Sequence, residues 1–167
     1  FKILQLTDIH LGGSLLSYST DINALETVYT LIEDTTQDMI IVTGDFVFPL
    51  GIQSYSFNNY TPMMQFASFI RNIGIPWAFV YGNHDTNNRR KMYAELPNVV
   101  EASWAIMLDY KKYHFFMTHF PCMTGNLEKE SLKQCTCNLF GHTHQTTNFY
   151  NDLPFMYHVG VDSHDGY

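Results

Sequence analysis

The chain has 167 residues, of which 46% are apolar, and a net charge of −7. That is enough to close one hydrophobic core, and too apolar for a disordered chain. No apolar run approaches the ~20 residues of a bilayer-spanning helix, and no basic stretch leads into a long apolar one as in a signal peptide. The acidity disfavours a nucleic-acid polymer as partner, since proteins that grip a phosphate backbone present a basic face.

In chain order, residues 2–6 alternate weakly and run into Thr7-Asp8, which predicts a buried first strand. Gly12-Gly13-Ser14 is a loop. Over 21–33, Ile22, Leu25, Tyr29 and Ile32 recur at helical spacing. Residues 39–43 are an apolar, β-branched run, a second buried strand. A polar and aromatic loop is expected over 48–59. Thr61 then caps a helix with Pro62 in its first turn and Met63, Phe66, Phe69 and Ile70 on its apolar face; Gly74 and Pro76 close it. Residues 77–81 form a third strand running into Gly82-Asn83-His84-Asp85, and 88–96 a short basic helix stopped by Pro97.

After Pro97 the pattern changes. Short strands are predicted at 104–108, 113–118, 139–140, 147–150 and 155–159, with turns at Lys111-Lys112 and Asn151-Asp152. A βαβαβα half followed by a mostly β half predicts an α/β architecture with mixed strands. One domain is expected over 1–167, its C-terminal edge left open.

The ends of these strands carry the chemistry. Asp8 and His10 stand two apart, so in extended chain both side chains face one side. Asp45 follows the second strand behind Gly44. Asn83 and His84 follow the third behind Gly82. His119 ends the run 115–118, and His142 and His144 follow Gly141. Open α/β sheets place their sites at the carboxyl ends of strands. Glycine before a ligand lets the backbone turn and approach closely. Two aspartates, four histidines and one asparagine, with no thiolate, suit manganese, iron or zinc better than calcium or magnesium. Seven ligands exceed one tetrahedral ion and fit two ions ~3.5–4 Å apart that share a carboxylate.

These five motifs in this order, Asp8-Ile9-His10, Gly44-Asp45, Gly82-Asn83-His84-Asp85, His119 and Gly141-His142-Thr143-His144, resemble the calcineurin-like metallophosphoesterase superfamily from residue 3 to residue 144. The first half is similar to a branch related to the purple acid phosphatases, the second half to compact bacterial phosphodiesterases. The resemblance implies a four-layer αββα sandwich of two mixed sheets flanked by helices. It implies two divalent metal ions, manganese foremost, with iron, zinc or nickel as alternatives. The first would take Asp8, His10, Asp45 and His144, the second Asp45, Asn83, His119 and His142, with Asp45 bridging. His84 would stay off the metals and protonate the leaving group, and Asp85 would orient it. The implied activity is hydrolysis of a phosphate ester by a metal-activated water, and the substrate expected here is a small phosphodiester. A phosphomonoesterase, a non-catalytic scaffold and a nuclease subunit are the rival readings.

Departures narrow the substrate. The phosphoprotein phosphatases of the superfamily use Gly-Asn-His-Glu and a downstream Asp-Arg-Gly; this chain has Asp85 and Gly44-Asp45-Phe46. Purple acid phosphatases place a tyrosine ligand where Phe48 stands, so no tyrosinate–iron charge transfer is expected. His114, His158 and His164 read as structural or solvated. Arg89, Arg90 and Lys91 read as a solvated helix face, with a phosphate contact as the alternative. Cys135-Thr136-Cys137 lacks the second pair a zinc site needs, and three cysteines fit a reducing compartment, the cytoplasm.

Overall fold

Parallel strands cannot be joined by tight turns, so each apolar run of the first half needs a crossover before the next. In the computed structural model, which describes residues 1–12, 14–47, 60–124, 136–145, 153 and 155–160, those crossovers are helices. Strands β1 (Ile3–Leu6), β2 (Met39–Thr43), β3 (Trp77–Val80) and β4 (Val99–Ser103) form a parallel sheet in that order. Helices α1 (Tyr18–Asp34), α2 (Tyr60–Ile73) and α3 (Asn87–Glu95) connect them.

Successive residues of a strand face opposite sides, and both sides of β2 and β3 are buried. Ile40, Val42, Trp77 and Phe79 pack under the helices, against Val28 and Ile32 of α1, Phe66 and Ile70 of α2, and Tyr93 of α3. Aromatic geometry fixes the contact: Phe66 meets Trp77 edge-on at 5.8 Å, and Phe79 stacks on Tyr93 at 4.0 Å. On the other side, Ile41, Ala78 and Val80 pack against Ile106 and Met117 of a second sheet. That double burial is why these strands read as unbroken apolar runs.

The second sheet is β5 (Ala105–Tyr110), β6 (Tyr113–Thr118), β7 (Thr136–Phe140) and β8 (Met156–His158), in that order. The hairpin β5–β6 is antiparallel and the other pairs are parallel. So this sheet is mixed, while the first is parallel throughout its described strands. The fold is an α/β sandwich, with helices on one sheet and that sheet on the next. The expected fourth, helical layer has no described residues, and the strand expected at 147–150 and the turn at Asn151-Asp152 also fall outside them. Among the described residues no helix is long and apolar enough to cross a membrane.

Three elements differ from expectation. The edge strand β4 was not anticipated, because an edge buries little: Val100 is 64% exposed, so no apolar run announces it. Helix α1 begins at Tyr18, three residues before Asp21. Asp21 is buried in the first turn, where its carboxylate accepts from the Gly12 amide at 2.8 Å and the Ser17 hydroxyl at 2.9 Å. It therefore ties the loop after β1 to the helix. Thr61 and Pro62 sit inside the first turn of α2, which starts at Tyr60.

Candidate metal centre

Every strand that was expected to end in a metal-competent side chain does so on the same rim. Asp8 and His10 follow β1, Asp45 follows β2, Asn83 and His84 follow β3, His119 follows β6, and His142 and His144 follow β7. The ladder continues past the strands: the His10 amide donates to the Asp45 carbonyl at 3.0 Å, and the Gly141 amide to the His119 carbonyl at 3.1 Å.

The backbone here is not extended. Asp8 (φ 51°), His10 (52°), Asp45 (47°), His142 (66°) and His144 (44°) all adopt the left-handed conformation. This corrects the pleat argument for Asp8 and His10: a turn aims them together, not a strand. Left-handed backbone costs an L-residue about 1–2 kcal/mol, so the rim is strained where the candidate ligands sit.

Two groups of side chains converge, Asp8 with His10 and His144, and Asp45 with His119 and His142. In the first, His10 Nε2 lies 3.2 Å from His144 Nε2, and Asp8 Oδ1 lies 3.7 and 3.6 Å from those two nitrogens. In the second, His119 Nε2 lies 3.2 Å from Asp45 Oδ2, 2.9 Å from Asn83 Oδ1 and 3.0 Å from His142 Nδ1. Atoms bound to one ion at ~2.0–2.2 Å stand roughly 3–3.5 Å apart. Asp45 falls in the second group, and its sharing with the first belongs to the proposal below.

Hydrogen-bond chemistry tests the fit. His119 Nδ1 donates to the Thr43 carbonyl at 3.1 Å, so in the neutral ring Nε2 holds a lone pair. Nε2 faces the oxygens of Asn83 and Asp45, an array reconciled by a proton in the imidazolium or by a bound cation in the neutral ring. Asp8 Oδ1 is buried without a hydrogen-bond partner among the described residues, while Oδ2 accepts from Thr7 Oγ1 at 2.6 Å and the His142 amide at 2.9 Å. The residues present therefore fit a pair of cations.

Titration behaviour differs among the candidate ligands. Burial holds His10 below its ordinary pKa, and burial with the neighbouring His119 does the same for His142. Both are thus neutral imidazoles near pH 7, as metal ligation requires. Burial opposes ionisation of Asp45, but the His119 hydrogen bond and charge, with the His84 amide bond and charge, together outweigh it and keep this carboxyl below its usual range. Burial likewise opposes charge on His119, and the Asp45 hydrogen bond and the Asp45 and Asp8 charges outweigh it upward.

Two glycines leave room for ligands from other motifs. Gly44 has φ 89°, and a Cβ there would strike the His119 ring. A Cβ on Gly82 would strike Asp45 Oδ1 and come within 2.7 Å of the Asp45 amide. Gly82→Ala is expected to displace Asp45, costing about 1–3 kcal/mol as other overpacked sites do. Thermal unfolding and metal content measured together check this: a variant with full metal content and wild-type stability would refute it.

Residues 1–155 match the family model of the calcineurin-like phosphoesterases. The chain belongs to this family. It is 31% identical over 96 residues to a "Probable inactive purple acid phosphatase 28" of Arabidopsis thaliana, covering 51% of this chain and 23% of that protein. A second Arabidopsis protein, "Probable inactive purple acid phosphatase 14", is 30% identical over 115 residues, 59% of this chain and 28% of the relative. The chain thus spans about a quarter of the length of the curated relatives it matches. Among solved structures, the Pseudomonas putida nuclease MPE superposes with a TM-score of 0.59 at 19% identity, covering 89% of this chain and 64% of that one. The fold is shared.

In this calcineurin-like phosphoesterase the expected His84–Asp85 pairing takes another form. His84 stands beside the second group, its Nε2 3.1 Å from Asn83 Nδ2 and 3.8 Å from Asp45 Oδ2, its side chain 35% exposed. Its amide donates to Asp45 Oδ1 at 3.1 Å. Asp85 does not hold the His84 imidazole. Its Oδ2 accepts from the Gly82 amide at 2.6 Å and its Oδ1 from the Tyr93 hydroxyl at 2.9 Å. Burial pushes the Asp85 carboxyl up in pKa against those two bonds.

The basic residues after the motif also differ from expectation. Arg89 is buried and donates to the His84 carbonyl at 2.9 Å, so it is neither solvated nor a phosphate contact. Arg90 lies over Trp104, 4.1 Å from the ring centroid, and donates to Asn87. Lys91 is exposed. His114 pairs with Asp109 on the surface at 2.6 Å, and His158 is buried in β8, as their structural reading expects. His164, Phe48 and Cys135 lie outside the described residues. Sequence reasoning missed the roles of Thr7, Arg89 and Tyr93. The last two could have been found from their spacing, four and eight residues after Asp85.

Proposed function

We propose that this chain is a two-metal phosphoesterase that hydrolyses a small phosphodiester. The observation that carries the reading is the pair of ligand groups side by side on one rim, with His84 next to them and its ring accessible. Asp8, His10 and His144 would hold one divalent cation and Asn83, His119 and His142 the other, with Asp45 shared. Two such ions, manganese foremost, would supply Lewis-acid polarisation of the phosphoryl group and a water nucleophile ionisable near neutral pH. His84, beside the second group with its ring accessible, would give a proton to the leaving oxygen, the role that lets an alkoxide depart. The His84 amide bond to Asp45 ties that acid to the ligand cluster.

A diester fits better than a monoester. A monoester dianion calls for cations beyond the metals, yet Arg89 is committed to the His84 carbonyl and Arg90 to Trp104 and Asn87. Net charge −7 likewise favours a small substrate over a nucleic-acid polymer. The one competing reading with an observation behind it is a metal-binding platform without turnover, since both curated relatives carry "inactive" in their names.

The test strips the protein with chelator, restores Mn²⁺ and assays bis(4-nitrophenyl) phosphate beside 4-nitrophenyl phosphate. Metal-dependent diester cleavage is expected, falling about 10²–10⁴-fold in kcat in His84→Ala at unchanged metal content. Faster monoester turnover would reverse the substrate assignment. Two bound metals with no turnover of either ester would favour the platform.

A further inference from the structure

The motif loop Gly82–Asp85 is gripped from below by three buried polar side chains. Arg89 and Tyr93 stand four residues apart on one face of α3, Asp85 lies just ahead of the helix's Thr86 cap, and each of the three is no more than 1% exposed. The Asp85 carboxylate takes the Gly82 amide with one oxygen and the Tyr93 hydroxyl with the other. Arg89 takes the His84 carbonyl. Tyr93 is in turn stacked on Phe79 of β3 at 4.0 Å, so the grip is anchored in the sheet that carries the loop. The Asp85 amide closes the turn onto the Gly82 carbonyl at 3.2 Å.

Burying an arginine and an aspartate is costly, and a well-packed apolar cluster would hold the helix to the sheet at least as well. What an apolar cluster could not do is bind a backbone carbonyl and a backbone amide of the same loop. Those two bonds hold the loop at the Gly82 amide before Asn83 and at the His84 carbonyl after it. We infer that Arg89, with Asp85 and Tyr93, forms a clamp that positions the His84 ring for proton donation to the leaving group. This rests on His84 being the general acid. Arg89 is a positioning residue here: it touches only the backbone of the acid. A misplacement near 1 Å at a reacting group costs on the order of 10²-fold, so a loosened loop should show in kcat first.

The experiment uses the full, Mn²⁺-loaded chain and two aryl phosphodiesters whose leaving groups are 4-nitrophenolate and phenolate. A general acid matters more for the poorer leaving group, so His84→Ala should lose more activity on the phenyl ester. Arg89→Lys and Tyr93→Phe are the clamp variants; Lys keeps the charge beside Asp85, and Phe keeps the stack on Phe79. Both are expected to lower kcat about 10-fold or more, with KM and bound manganese unchanged and the steeper loss on the phenyl ester. In the metal-free protein, the His84 ring resonances should shift or broaden in Arg89→Lys while those of His114 stay in place. Wild-type leaving-group dependence in both clamp variants, while His84→Ala shows the selective loss, overturns the clamp and leaves the acid standing. A loss equal on both esters and accompanied by lost manganese reduces the trio to structural support. No selectivity in His84→Ala itself overturns the acid assignment and the clamp with it.

Discussion

Asparagine in place of Asp45 is expected to reduce diester hydrolysis by well over the ~10–100-fold that losing an outer partner of a metal ligand costs. The substitution preserves volume and removes one negative charge from among His119, His84 and Asn83. In the native chain Asp45 Oδ2 lies 3.2 Å from His119 Nε2 and Oδ1 accepts the His84 amide at 3.1 Å. An amide can present one oxygen only: whichever neighbour it serves, its NH₂ meets the other. If the oxygen keeps the His84 amide, the NH₂ faces the site and a cation loses its ligand. If it turns inward, the NH₂ confronts the His84 N–H and the loop shifts. Either way the charge that holds His119 above its ordinary pKa is gone. Bound metal per chain, measured by elemental analysis beside kcat/KM, is expected to fall from two to one or fewer. Two tightly held metals and near-native turnover in Asp45→Asn would refute the shared-carboxylate centre.

Removing the metals is expected to lower Tm steeply. Among the described residues, seven other than glycine have positive φ, and five of them are candidate ligands. Strain of that kind persists only where the surroundings repay it. Asp8 Oδ1 is buried without a hydrogen-bond partner among the described residues, and His119 Nε2 faces the oxygens of Asn83 and Asp45, an arrangement that a bound cation would stabilise. An ion present at 100 times its dissociation constant contributes about 2.7 kcal/mol per site. Two sites then contribute about 5 kcal/mol, or roughly 10–20 °C at this chain length. Differential scanning calorimetry with and without chelator measures it. An unchanged Tm would mean that the rim is equally stable empty, and that the left-handed residues are held by packing alone.

Much of this was legible because chemistry and burial left separate marks. Ile40, Val42, Trp77 and Phe79 announced their strands through apolar runs, and the residues just beyond announced the site through side chains that a buried strand end does not otherwise tolerate. The metal-competent residues fell together because the strands they follow end on one rim. What was illegible came from local geometry. The left-handed turns at Asp8 and His10 carry no glycine to betray them. The family resemblance made Asp85 the partner of His84, but it folds back onto its own loop and binds Gly82. Arg89 sits in a polar helix segment and read as solvated, yet it is buried and donates to the His84 carbonyl. The edge strand β4 exposes Val100 and Glu101, so its composition is that of a loop.

Gly44 and Gly82 have a consequence for assembly. The space that a Cβ on Gly44 would fill is occupied by the His119 ring, which arrives from the other sheet. One wall of the centre is therefore delivered only when the second sheet docks on the first through Ile41, Ala78 and Val80 against Ile106 and Met117. In the proposed two-metal reading, metal occupancy would gauge that docking: a change that slides one sheet against the other by a fraction of an ångström, far from any candidate ligand, is expected to weaken the hold on the ion before it unfolds the chain.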